Sequence, residues 1–258
     1  MYEDVCYQKT FLKEVIARID FFTPAESFEK SLSPKLVETL TSHFPINEPQ
    51  DSVMHELTLD GQKVHQREIR SKQWNFFGKE REKQLAISPQ FMFVTYSKYG
   101  TYENFKLEFT AVVDAVLKSN ASLKARRMGL RFVNVIEPSD LASPYSWDSY
   151  IAAPLLPSLA FFSESNRLTR LIQIAELRYE DLQVRFQFGM PNPDYPATMK
   201  RAQFVLDLDA YVDTAQDLTY SGLFIDEAHS KIQDLFERSI TAGLRERMHA
   251  TKSASIQK

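Results

Sequence analysis

The stretch Lys124–Pro138, KARRMGLRFVNVIEP, decides the fold. It reads as one long strand, with Arg126, Arg127 and Arg131 set among apolar residues. Upstream of it, Tyr102–Leu117 places Phe105, Phe109, Val112, Val113, Val116 and Leu117 on one stripe, which predicts a helix. Before that helix come pairs of short strands. Gln84–Ile87 and Phe91–Ser97 surround Ser88-Pro89, and Val53–Leu59 and Lys63–Phe76 flank an Asp60-Gly61 turn, a hairpin signal. Ser27–Phe44 has helical spacing and is read as restarting at Ser33-Pro34, with Ser33 as N-cap and Pro34 at the first helical position. Pro45 and Pro49 are expected to close that unit. Phe11–Phe22, bounded by Thr23-Pro24, reads as the first strand.

Downstream, Glu137–Ser146 carries two prolines and three serines and reads as a link between halves. Leu168–Tyr179, Leu182–Phe188 and Phe204–Val212 read as strands, the second with Leu182, Val184, Phe186 and Phe188 alternating with polar residues. Met190–Pro196 reads as a rigid exposed loop. Leu223–Met248 is expected to be one long helix facing inward through Ile225, Ala228, Ile232, Leu235, Phe236, Ile240, Leu244 and Met248. This order predicts an α+β fold, rich in antiparallel sheet, with two long helices packed on sheet faces. The expected organisation is an N-terminal half over 1–138, a C-terminal half over 139–250 and a flexible tail over 251–258. Both halves read as strands followed by a long helix, without a residue-level repeat.

The segment Arg127, Gly129, Leu130, Arg131, Phe132, Asn134 resembles the R-x-G-L-R-[YF]-x-N strand of a sporadically distributed prokaryotic family of uncharacterised proteins of about this length. The resemblance extends to Ile19-Asp20-Phe21, to LDLDAY at Leu206–Tyr211, and to a final helix with Phe236-Glu237 and Ile240-Thr241. It names no chemistry. The patchy occurrence of such a family implies an accessory, antiviral-defence or toxin-neutralising role, by analogy alone.

Composition excludes more than it selects. A net charge of −3 argues against a protein held to nucleic acid by a global positive field. The single cysteine, Cys6, rules out an internal disulfide or a zinc site built on cysteines, which suits a reducing cytoplasm. The acidic N-terminal stretch lacks the apolar core of a secretory signal, and Ser149–Phe162 is too short to span a bilayer. A cytoplasmic protein is the expectation. With seven glycines there is no P-loop, no G-x-G-x-x-G and no G-x-S-x-G. The five histidines, His43, His55, His65, His229 and His249, form no zinc motif, and His229 is expected on the solvated flank of the last helix.

Four features carry candidate chemistry. Arg126, Arg127 and Arg131 are the candidate site for a phosphate or an acidic partner, with Gly129 allowing close approach; the competing expectation is that they pair with carboxylates of neighbouring elements. Asp207, Asp209 and Asp213 fall on one face of their strand or just beyond it, and Asp207 and Asp209 would hold Mg²⁺ in a metal-dependent phosphodiester-cleaving enzyme, with Arg127 and Arg131 on the phosphate; alternation on a strand, with Arg185 opposite, accounts for them equally. Trp74–Phe77 and Phe91–Tyr102, interleaved with Arg67, Arg70, Lys72 and Lys98, would stack bases in a nucleic-acid-binding protein, or form sheet core. Ile151–Phe162 either caps the core or docks another subunit. The first expectation is a non-enzymatic protein that binds a macromolecular partner, with a homodimer as a further expectation, and with no catalytic residue, metal or cofactor assigned.

Overall fold

The computed structural model describes residues 5–60, 63–162 and 164–252. In chain order the elements are β1 (Val5–Tyr7), β2 (Leu12–Phe21), α1 (Ser27–Lys30), α2 (Pro34–His43), β3 (Ile46–Asp60) and β4 (Lys63–Phe77). There follow β5 (Lys83–Ile87), β6 (Phe91–Tyr96), α3 (Tyr102–Ser119), β7 (Lys124–Ile136) and α4 (Pro157–Ala160). The chain continues through β8 (Leu171–Tyr179), β9 (Leu182–Met190), β10 (Phe204–Val212), β11 (Gln216–Asp217), α5 (Ser221–Ser239), α6 (Ala242–Met248) and β12 (Ala250–Lys252). The class is α+β, with ten strands in one large antiparallel sheet.

Two compact units form. The first comprises Met1–Val15, Leu130–Tyr211 and Asp226–Lys258, and the second Ile16–Gly129 and Val212–Ile225. Pro138 lies inside the first. β2, β7, β10 and α5 each contribute residues to both units.

In the second unit the strand order is β3-β4-β5-β6-β2-β7, with β11 on β7. α3 is 18 residues long, is capped by Thr101, and buries Phe105, Phe109, Val112, Val113 and Val116. Tyr96 on β6 meets Phe105 edge to face at 5.3 Å, which seats the helix on the sheet. Ser33 accepts from the Leu36 amide at 3.3 Å as α2's cap, with Pro34 at the first turn. Such a cap contributes about 1 kcal/mol. Pro49 does not close the helical unit as expected; it lies within β3, opposite Trp74. The strand tolerates it because β3 is an edge, where a missing amide donor can face solvent. β4 pairs with β5 only over Trp74–Phe77, so most of β3–β4 is a two-stranded ribbon. Asp60 pairs with Lys63, and the Gly61 half of the expected turn lies outside the described residues.

In the first unit the order is β2-β7-β10-β9-β8. Period-two alternation sends Leu182, Val184, Phe186 and Phe188 of β9, and Phe204, Leu206, Leu208 and Ala210 of β10, into the core. α5 covers this face. His229 approaches Phe132 of β7 at 5.9 Å, and Lys231 stands 4.9 Å over the Tyr179 ring of β8. His229 is therefore half-buried against an aromatic ring rather than simply solvated.

The single helix expected over Leu223–Met248 is two helices. α5 stops at Ser239, whose hydroxyl donates to the Leu235 carbonyl at 2.6 Å. Ile240 then bridges to Ile151, and Thr241 caps α6 by accepting from the Leu244 amide at 3.3 Å. Thr241 also donates its hydroxyl to the Ser149 carbonyl at 2.6 Å. Ile240, Leu244 and Met248 all remain buried, so the apolar stripe survives a break in the backbone that it cannot reveal. The segment from Glu137 is anchored inside this unit by Trp147, fully buried with its indole N–H on the Pro144 carbonyl and its ring 5.2 Å from Phe204. No helix of the described residues is long and apolar enough to cross a membrane.

Candidate functional site

β7 turns its three arginines in different ways. Arg126 is exposed near the start of the strand. Arg127 folds its guanidinium back over Gly129: a Cβ added there would meet Nη1 at 2.9 Å. The group that approaches Gly129 closely is thus Arg127 itself. In the first unit, Arg131 reaches β10 and donates through Nε to Asp207 Oδ1 at 2.7 Å and through Nη2 to Oδ2 at 2.6 Å. This parallel fork is the strong, directional form of the ion pair. The Asp207 side chain is only 10% exposed and that of Arg131 43%, so the carboxylate is the deeper partner. The Asp207 hydrogen bond leads the influences that raise the basicity of Arg131; burial opposes it, and Asp207, Asp209 and Glu14 add electrostatic support.

The same contact answers for the candidate metal ligand. Both Asp207 oxygens face Arg131, and Asp209 stands opposite Arg185 in the β9–β10 register. Among the described residues no three of His, Cys, Asp and Glu gather as metal ligands would.

In the second unit the aromatic strands divide between faces. Phe76 is fully buried, and Trp74 gives its indole N–H to the Phe28 carbonyl at 2.9 Å. Phe91 and Phe93 are half-exposed and stacked at 5.9 Å, with Arg18 4.4 Å over Phe91. Arg18 is also held by Asp20 at 2.7 Å. The side chains of Arg67 and Arg70 lie outside the described residues.

Sequence reasoning missed a groove of about 850 Å³ in the first unit, lined among others by Lys9, Glu137, Asp140, Tyr150, Arg247 and His249. In its lining, Asp140 accepts from the Tyr150 hydroxyl at 2.7 Å and pairs with Arg247. Arg247 lies 5.0 Å over the Tyr150 ring. The Tyr150 hydrogen bond, and then Arg247, hold the Asp140 carboxyl below its ordinary value. Burial and Asp140 push the Tyr150 hydroxyl up. A general acid or base working near neutrality needs its ionisation moved toward pH 7. Here each partner is moved away from it, the acid downward and the phenol upward.

A second cluster also went unread. Glu237 is 1% exposed and accepts from the Tyr7 hydroxyl at 2.6 Å and from Arg245 Nε at 2.9 Å. Arg245 Nη2 also donates to the Glu237 carbonyl. Tyr7 is pushed well above the ordinary tyrosine value, first by burial and then by Glu237. These contacts tie β1 to α5 and α6.

The segment 151–162 divides in two. Ile151 and Leu156 are buried, and Ser158 and Leu155 bond to Gln173 of β8 at 2.7 and 3.5 Å. This first part caps the core. Phe161 is 82% exposed and Phe162 42%, their rings edge to face at 5.3 Å. No protein-family model matches the chain, and no curated protein matches it.

Proposed function

We propose that this protein is a non-catalytic binding protein of the cytoplasm that recognises a protein partner, in the manner of an accessory, defence-linked or toxin-neutralising factor. The observation that carries this reading is the Phe161–Phe162 pair, held on a segment whose preceding residues are anchored in the core. Leaving the Phe161 ring almost wholly in water forgoes most of the about 1.5–3 kcal/mol that burial would contribute, and the 42%-exposed Phe162 forgoes less than half of that contribution; aromatic side chains of this kind anchor protein interfaces. The locked ionisation of Asp140 and Tyr150, and the mutual pairing of Arg131 with Asp207, support a binding role over a catalytic one. Membership of the family that the β7 sequence resembles is part of the same proposal.

The test is photo-crosslinking in the native host. A crosslinking amino acid at Phe161 should yield a discrete protein adduct that the same residue at exposed Leu107 does not. Absence of a Phe161-dependent adduct, or Mg²⁺- or Mn²⁺-dependent phosphodiester turnover lost in Asp207→Asn/Asp209→Asn, overturns the reading. A second reading, single-stranded nucleic-acid binding, draws on the Phe91–Phe93 stack under Arg18. It requires Phe91→Ala/Phe93→Ala to abolish binding of an RNA oligonucleotide.

A further inference from the structure

β8 ends the sheet of the first unit, and its outer edge is open. Among the described residues the backbone of Leu171–Tyr179 bonds only to β9. Such an edge is a template for another strand, and charged side chains commonly guard it. Glu176 and Arg178 are exposed on this edge; Glu176 stands opposite Arg185 of β9, and among the described residues neither Glu176 nor Arg178 makes an ion pair. Their signs are opposite and they stand two residues apart, on one face of the strand.

That spacing makes β8 complementary to itself. A two-fold axis normal to the sheet preserves its faces, so an antiparallel copy pairs residues of equal parity and the axis falls on a residue. With the axis on Leu177, Glu176 opposes the copy's Arg178 and Arg178 opposes the copy's Glu176. An axis on Glu176 sets glutamate against glutamate, and one on Arg178 sets arginine against arginine. An axis on Ala175 puts both charges opposite isoleucines, Ile174 and Ile172. Opposite charges attract and like charges repel across neighbouring strands, so one register is selected. In that register Ala175 meets the copy's Tyr179 and Leu177 meets itself. The paired stretch stops short of Gln173, whose side chain is occupied by Ser158, and of Glu180, where the chain turns at φ 52°.

We propose that β8 pairs antiparallel with β8 of a second copy of this chain, about a two-fold axis at Leu177, held by two Glu176–Arg178 ion pairs. The proposal is independent of the Phe161 reading and uses none of its residues. The test is sedimentation of the full chain over a concentration series, with Glu176→Arg, Arg178→Glu and the double swap. Wild type should dimerise, each single variant should weaken the dimer at least ~10-fold by placing like charges in opposition, and the double swap should restore it. Both substitutions are at exposed edge positions, and circular dichroism checks that the fold persists. A second readout reports the axis. In a Cys6→Ser background, Leu177→Cys should form an intermolecular disulfide on mild oxidation, because directly opposed Cα atoms lie ~4.5–5.5 Å apart. Arg178→Cys, opposed by Glu176, should not. A wild-type monomer at every concentration overturns the proposal. So does a dimer indifferent to the single swaps, a double swap that fails to recover, or crosslinking at Arg178→Cys equal to that at Leu177→Cys.

Discussion

Replacing Arg131 with methionine removes the fork on Asp207 and keeps most of the side-chain volume. The carboxylate left behind is only 10% exposed, so it cannot recover its lost hydrogen bonds from water alone. Breaking a fully buried pair costs about 3–5 kcal/mol, and exposed pairs contribute about 0–1 kcal/mol. Arg131 is 43% exposed, which places this contact between those limits, at about 2 kcal/mol after allowance for solvent screening. The converse change, Asp207→Asn, leaves the cation near water and should cost less, about 1 kcal/mol. A double-mutant cycle of Arg131→Met and Asp207→Asn, followed by urea denaturation, should give a coupling energy of about 1–2 kcal/mol. In thermal melts the Arg131 variant should fall by ~4–8 °C for a chain of this size. Equal stability of wild type and Arg131→Met would refute the reasoning, and would return Arg131 to the role of a ligand-binding cation.

Removing Arg245 should leave Glu237 charged and buried, so Arg245→Ala is expected to cost about 3 kcal/mol in urea unfolding, more than the ~1 kcal/mol of Tyr7→Phe. The hydroxyls of Tyr7 and Tyr96 are both raised in the folded state, by burial first and then by Glu237 and Glu108. Their contribution is therefore complete below the ordinary tyrosine value and is lost as pH climbs from about 10 toward the folded values. Denaturation followed over that range should show wild-type stability falling, with a shallower fall in Tyr7→Phe/Tyr96→Phe. Gly189→Ala should destabilise by about 3 kcal/mol in chemical denaturation, because φ is 135° and the new Cβ would stand 2.1 Å from the Leu171 carbonyl oxygen. A loss below ~0.5 kcal/mol there would show that the β8–β9 ladder can shift.

Features encoded within a few residues were legible from the sequence. Alternation marked β9 and β10, Ser33-Pro34 marked the restart at α2, and the stripe from Phe105 to Val116 marked α3. The break between α5 and α6 was not, since Ile240, Leu244 and Met248 continue the inward pattern across it. Its cause is distant: Ile151 and Ser149 capture Ile240 and Thr241. Partner choice was illegible for the same reason. Arg131 and Asp207 are 76 residues apart, and nothing near either residue states the register that joins them. Glu237 is not among the residues of the inward apolar stripe, and the hydrogen bonds of Tyr7, distant in sequence, and of Arg245 make its burial tolerable. The Asp140 groove draws on four separated segments, none of which carries a motif.

The interleaving of the two units has a consequence for synthesis on the ribosome. Residues 16–129 leave the exit tunnel as one uninterrupted block and already contain most of the second unit. The first unit must wait, because β1 pairs with β12 and Tyr7 opposes Ala250. Tyr7 and its neighbours therefore emerge before the whole of the second unit and find their partners only after Ala250 has been made. Contacts so distant along the chain form slowly, and unpaired strands are exposed while they do. A nascent chain stalled before α6 should hold a protease-resistant core from the second unit, while β1 remains open to cleavage until Glu237, Arg245 and β12 have been made.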